Sequence, residues 1–374
     1  MKKKIIAAGH ICLDITPVFP DNKTGKINDI LSPGKLIQMG SADVHTGGSV
    51  ANTGLGMKLL GADVELMGKV GNDAFGDMIL AILRKYGADK HMIIADDATT
   101  SYSVVLAIPG IDRIFLHHPG ANDTFSASDI SAEQLSSASL LHFGYPPLMR
   151  SIYKNAGEEL LNIMKAAKSS GVATSLDMAM VDASTTAGQS DWKLILKNVL
   201  PYVDFFVPSV EELCFMIDKP KFEELQNRAK GGDITDVLDI ERDVRPLADW
   251  CISNGAKVIL IKCGTPGIYY RTSDSAALEN IGTKAELNIS KWADKEGFEK
   301  SYVPDRVLSG TGAGDTSIAA FLTSMLEGCT IEECVQLAAA TGASCVSAYD
   351  ALSGLKPLDE LRSKIAAGWK KQGE

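Results

Sequence analysis

Residues 63–86 read Asp-Val-Glu-Leu-Met-Gly-Lys-Val-Gly-Asn-Asp-Ala-Phe-Gly-Asp-Met-Ile-Leu-Ala-Ile-Leu-Arg-Lys-Tyr. A short apolar run near 63 to 69 passes through a glycine-rich turn, Gly68 to Gly76, into apolar residues at helical spacing near 75 to 86. Asp73 stands where a helix N-cap is expected. Working outward, a strand near 3 to 9 and a helix near 49 to 60 precede this unit, and a strand near 91 to 94 follows it. Further strand-like runs at 139 to 142, 172 to 176, 203 to 207 and 257 to 262 are separated by helical pattern. Strands that alternate with helices imply a mostly parallel sheet covered on both faces. The fold class is α/β.

Two stretches interrupt the rhythm. Residues 15 to 46 and 98 to 121 hold no helical pattern but carry alternating runs, Ser101-Tyr-Ser-Val-Val-Leu-Ala and Arg113-Ile-Phe-Leu-His, on either side of Pro109-Gly110-Ile111-Asp112, a hairpin signal. They are expected to form a small β lid. The main α/β domain then comprises 1 to 14, 47 to 97 and 122 to 374. Within it, 218 to 247 is a charged helical insertion whose charges are expected to form a solvated face.

The chain has 374 residues, 37 Lys+Arg and 47 Asp+Glu, a formal charge of −10. An acidic balance argues against a nucleic-acid partner, which needs a basic face. The longest apolar runs fall short of a membrane span, and the opening Met-Lys-Lys-Lys-Ile-Ile-Ala-Ala-Gly-His10 reads as a buried first strand and not as a signal peptide. The expectation is a cytoplasmic small-molecule enzyme. Seven cysteines without a C-x-x-C pair are expected to be buried thiols, neither a disulfide frame nor a zinc site.

The strongest chemical signal is Ser309-Gly-Thr-Gly-Ala-Gly-Asp315-Thr, followed by an apolar helical run from Ser317. A glycine-rich turn that opens a helix presents unpaired backbone N–H groups at the positive end of the helix dipole, a site for phosphate oxygens. Gly312 and Gly314 allow close approach. Asp315 is either an N-cap or a general base that takes a proton from a nucleophilic hydroxyl. No Gly-Lys-Ser/Thr follows, which excludes a Walker loop, and the spacing is not that of a dinucleotide fingerprint. A second signal, Gly47-Gly48-Ser-Val-Ala-Asn52, places a side-chain amide one turn into a helix, in reach of ligand hydroxyls. Asp14 closes the first strand, and ligands of parallel sheets bind beyond the carboxyl ends of strands.

In order and spacing, Gly9 to Asp14, Gly47-Gly48 to Asn52, Gly68 to Gly76, Pro208-Ser-Val-Glu-Glu212-Leu, Cys263-Gly264 to Gly267, and Gly312-Ala-Gly-Asp315 resemble the ribokinase-like, or PfkB, family of carbohydrate kinases. The resemblance covers nearly the whole chain. It implies a three-layer α/β/α fold with a mostly parallel central sheet and a β lid, and ATP-dependent phosphorylation of a hydroxyl on a small sugar. It implies Asp315 as base, and Gly312, Ala313 and Gly314 as anion hole. Asp14, Gly47, Gly48, Asn52, Arg113, Asn122 and Tyr145 would meet the sugar. Lys262, Gly264, Gly267 and Thr311 would meet the nucleotide, Glu212 would organise Mg²⁺ through water, and Ser309 with Thr311 would form the K⁺ site of cation-activated members.

The sequence departs from the family at Ser309-Gly310 and Ser209, and Tyr145 stands where ribokinase has a sugar-binding glutamate. His117-His118 reads as alternate-face strand residues and not as a metal site. A nucleoside kinase of the same fold, supported by Phe115 and Tyr102, and a sugar- or nucleotide-binding regulator without activity are the alternative readings. The lid could also pair two subunits into a homodimer.

Overall fold

A computed structural model describes residues 2–20, 30–108 and 114–374. The first strand, β1 (Lys4–Gly9), carries the apolar run Ile5–Ala8 with every residue buried. Side chains alternate across a strand, so Ile6 and Ala8 enter one hydrophobic core and Ile5 and Ala7 the other. A strand buried on both faces needs a layer on each side, and this one sits inside an α/β/α sandwich.

Six parallel strands build most of that sheet: β1, β4 (Asp63–Met67), β9 (Leu140–Gly144), β10 (Ala173–Leu176), β11 (Phe205–Phe206) and β12 (Val258–Lys262), in the order β12-β11-β10-β9-β1-β4. Two antiparallel strands extend the β12 edge, β13 (Gly267–Thr272) and β14 (Glu296–Lys300). The expected strand over 63 to 69 is two strands broken at Gly68: β4 and then β5 (Lys69–Gly71), which pairs with β6 (Ile93–Ala95) away from the main sheet.

A second sheet contains β2 (Cys12–Pro17), β3 (Ala42–Gly47), β7 (Tyr102–Leu106) and β8 (Ile114–His118), in the order β3-β2-β7-β8. It begins earlier than expected, which corrects the placing of Asp14. That residue does not close the first strand; it lies within β2, opposite His45 of β3 and Ser103 of β7. Gly9 explains the change of direction. At φ 128° it packs on the backbone of Gly144, where a Cβ would collide, and only glycine adopts that conformation freely. The chain leaves the main sheet there and crosses to the second through His10 and Ile11.

The charged segment is also corrected. It is helical, with an α-helix over Lys219–Ala229 and shorter turns to Val244, but its charges are not simply a solvated face. The Asp243 side chain is fully buried and accepts from Lys221 Nζ at 2.8 Å, Arg228 at 2.8 Å and Arg242 at 3.0 Å. All seven cysteines are free thiols, and among the described residues no helix is long and apolar enough to cross a membrane.

Candidate active site

The helix Ala313–Leu326 is capped by Gly312, whose backbone is left-handed (φ 73°, ψ 0°) and whose Cα faces Ala351 too closely for a Cβ. Asp315 is therefore free of the capping task that its position allowed. It is 5% exposed, and its carboxylate accepts from Asn52 Nδ2 at 3.0 Å, Thr53 Oγ1 at 3.2 Å and the Tyr145 hydroxyl at 2.8 and 2.9 Å. Three neutral donors thus meet this carboxyl group and none of them is a cation.

Local structure delivers these donors. Asn52 and Thr53 lie in Val50–Leu55, a stretch of π-helix that continues directly into an α-helical turn. The wider turn lets two consecutive side chains address one carboxylate, and such turns recur at functional sites. Tyr145 follows β9 in the left-handed region (φ 62°, ψ 43°), an uncommon conformation for a bulky residue. Burial first, then the negative charges of Asp315 and Asp177, hold its phenol well above the usual range, so it remains a donor.

On the side toward the second sheet, Asp14 accepts from the Cys12 thiol at 3.2 Å, and burial raises its carboxyl above the usual value. The negative charge of Asp315 adds to that rise. The glycine pair has a steric reason. A Cβ on Gly47 would overlap the Asp14 carboxylate, and one on Gly48 (φ 85°) would stand 2.6 Å from His10 Nδ1.

Asn122 has a different placement from the one expected. It is fully buried; its Oδ1 accepts from the Ile11 N–H at 3.2 Å, and its Nδ2 donates to the carbonyls of Ile11 (2.8 Å) and Pro119 (3.1 Å). Its amide pins the crossing between the two sheets. Arg113 and the hairpin signal at 109 to 112 lie outside the described residues. His117 and His118 do alternate: His117 Nδ1 is 3.0 Å from Ser103 Oγ and His118 Nε2 is 3.0 Å from Thr99 Oγ1.

At the other flank of the helix N-terminus, Lys262 ends β12 and donates to Asp177 Oδ1 at 2.7 Å. A Cβ on Gly314 would lie 3.4 to 3.7 Å from the end of the Lys262 side chain, so the ammonium stands beside the glycine turn. Burial alone would lower the Lys262 pKa; Asp177 and Glu212 outweigh it and keep the lysine charged. Asp177 is fully buried, and burial pushes its carboxyl up to about 8 against the opposing pull of Lys262.

Glu212 and Ser209 cap the helix Val210–Ile217 reciprocally: the Ser209 N–H donates to Glu212 Oε2 at 2.7 Å, and the Glu212 N–H to Ser209 Oγ at 3.2 Å. Ser209, which departs from the family pattern, thus keeps a structural task. Ser309 Oγ donates to Thr311 Oγ1 at 2.9 Å. The Ala313 N–H donates to the Gly310 carbonyl at 3.3 Å, so of the three expected anion-hole donors this one is engaged within the turn. Gly264 (φ 64°) faces Thr235 and Gly267 (φ 143°) faces the backbone of Glu299; together they shape the β12–β13 connection. Among the described residues no cluster of three or more His, Cys, Asp or Glu could hold a metal alone.

Three site residues escaped the sequence reading: Thr53, Asp177 and His10. Asp177 follows β10 directly, so the strand-end rule applied to Asp14 points to it equally well. Thr53 is visible only through the π turn, and His10 only through the crossing between sheets.

The pfkB family carbohydrate kinase pattern matches residues 3–357. The chain belongs to the pfkB family of carbohydrate kinases. This carbohydrate kinase is 26% identical over 301 residues to an uncharacterized sugar kinase of Archaeoglobus fulgidus, covering 80% of this chain and 98% of that one. It is 24% identical over 339 residues to the 2-dehydro-3-deoxygluconokinase of Bacillus subtilis, covering 89% and 90%. Its fold matches Arabidopsis thaliana ribokinase complexed with ribose and ATP, with a TM-score of 0.69 at 20% identity, over 97% of this chain and 98% of that one. The ribokinase-like fold expected from the motifs is the fold this carbohydrate kinase has.

Proposed function

We propose that this carbohydrate kinase transfers the γ-phosphoryl group of ATP to a hydroxyl of a small sugar or sugar derivative, with Asp315 as the base. The observation that carries the reading is the buried Asp315 carboxylate, held by three donors in the first turn of a helix that opens on glycines. Phosphoryl transfer asks mainly for positioning and charge stabilisation. In this reading the N–H groups of Gly312 and Gly314 at the helix N-terminus and the ammonium of Lys262, which stands beside Gly314, stabilise the negative charge of the transferring group. Asp315 takes the proton from the attacking hydroxyl, while Asp14, Asn52 and Tyr145 orient the sugar.

Mg²⁺ fits this donor set as a nucleotide-borne ion. It ordinarily keeps several waters and binds through one or two carboxylates plus substrate phosphates, a role open to Glu212 through its second carboxylate oxygen. Bound there, it would neutralise phosphate charge. A K⁺ ion at Ser309 and Thr311 would take lone pairs of the two hydroxyls, which are already 2.9 Å apart. The second sheet serves as the lid that excludes water, and its exposed Phe115 and Leu116 are the surface through which two copies would pair.

Tyr102, one of the aromatics that favoured a nucleoside acceptor, packs edge-on against Phe75 at 5.6 Å at the root of this sheet, which supports the sugar reading. A coupled ADP-release assay over sugars, sugar acids and nucleosides, with and without K⁺, tests it. Turnover with a sugar supports the proposal; saturable binding of sugar and ATP without turnover favours the inactive regulator.

A further inference from the structure

His10 is 1% exposed, and neither ring nitrogen has a hydrogen-bond partner among the described residues. Buried polar groups are nearly always paired, and an exception calls for a reason. The ring stands at the crossing between the two sheets. Its centroid lies 5.1 Å from that of His117 and 6.2 Å from that of Tyr145, whose hydroxyl is on Asp315. Its Nδ1 packs against Gly48, where a Cβ would stand 2.6 Å away and collide.

We propose that His10 is a specificity-determining contact of the acceptor site, using an uncharged imidazole to read one hydroxyl of a neutral polyhydroxy substrate. This inference rests on the kinase reading above and names its substrate class. A neutral imidazole offers one donor and one acceptor, which matches a hydroxyl, itself both. Burial first, then the charge of His117, hold the His10 pKa well below the usual value, so the ring offers no cation to a carboxylate. The carboxylate of Asp315, reached from this ring through Tyr145, disfavours an anionic group here. A substrate hydroxyl supplies the partner that the protein withholds, and an analogue without it leaves the imidazole buried and unpaired, the arrangement that discriminates most strongly.

The test compares the wild-type enzyme, His10→Phe and His10→Asn with ATP·Mg²⁺ and, as acceptors, D-fructose, D-ribose, D-glucose and D-gluconate, followed by the monodeoxy analogues of the best acceptor. Thermal midpoint and ATP binding are measured for each variant. The expected result is a neutral sugar as best acceptor and a KM raised about 10- to 100-fold in His10→Phe, with a smaller change in kcat. His10→Asn, which retains a donor and an acceptor, restores part of that loss. One monodeoxy analogue should show the same loss in wild type and no further loss in His10→Phe. Two folded variants with wild-type KM, or acceptance of D-gluconate with rejection of the neutral sugars, would overturn the inference and leave the kinase reading standing. Absence of turnover by the wild-type enzyme with every acceptor overturns both.

Discussion

The Tyr145 hydroxyl spans both carboxylate oxygens of Asp315, at 2.8 and 2.9 Å, from a backbone held at φ 62°. Substitution Tyr145→Phe keeps the ring and removes the donor. We expect kcat to fall about tenfold, less than the roughly 10²- to 10⁴-fold of removing a general base outright, because only one of its donors is lost, with ATP KM little changed. Steady-state kinetics with each substrate varied in turn checks this.

Lys262 and Asp177 form a buried pair, and removal of one partner ordinarily costs about 3–5 kcal/mol. Asp177 can blunt that cost by taking up a proton. Its folded pKa is raised to about 8, so its contribution is present below the unfolded carboxylate value and lost as pH rises through about 8. Removal of Lys262 raises the folded pKa further. The destabilisation of Lys262→Met relative to wild type should therefore grow between pH 6 and pH 9 in denaturant titrations, and its ATP KM should rise at least tenfold.

How much of this was legible in the sequence follows from what each element depends on. The parallel sheet was readable because strands such as Ile5–Ala8 are buried on both faces and must be apolar throughout. The antiparallel β13 and β14 were not, since half-buried edge strands such as Glu296–Lys300 carry a weak pattern. Asn52 was readable from its place one turn into the helix after Gly47-Gly48, and Tyr145 through the resemblance; both donate to Asp315. Asn122 was assigned to substrate because it ends the segment that resembles the family's lid over the sugar, and only the fold reveals that Ile11 consumes its amide. Asp243 looked like one more surface charge in an acidic and basic run; its burial depends on how the helix Lys219–Ala229 folds back over it.

His142 on β9 is buried, with Nδ1 3.0 Å from Ser175 Oγ, and burial first, then Lys262, lower its pKa to about 3. Between about 3 and 6.5 the unfolded chain binds a proton there that the folded chain refuses, so stability is full above 6.5 and falls as pH drops. One such group contributes a slope of up to about 1.4 kcal/mol per pH unit. Thermal unfolding of wild type and His142→Gln from pH 7 to pH 4.5 should show a shallower decline in the variant.

Asp243 is a stability residue that makes none of the hydrogen bonds to Asp315. Burial alone would raise its carboxyl; hydrogen bonds from Arg242, Lys221, the Asp239 N–H and Arg228 outweigh it and hold it well below the usual range. Asp243→Ala leaves three cations facing each other. Because those cations are partly solvated, the expected cost is roughly 2 kcal/mol and not the full buried-pair value. Calorimetry should show a lower Tm, and kcat at 25 °C should be unchanged.

The central claim is that Asp315 is the base and not a structural carboxylate. Asp315→Asn keeps the shape of the side chain and one accepting oxygen, exchanges the other for an NH2 donor, and removes the ability to take the proton. Measured side by side with wild type, kcat for the best sugar acceptor should fall about 10²- to 10⁴-fold, while ATP Kd from direct titration stays within about twofold. Turnover within a few-fold of wild type in a folded Asp315→Asn enzyme would contradict the account.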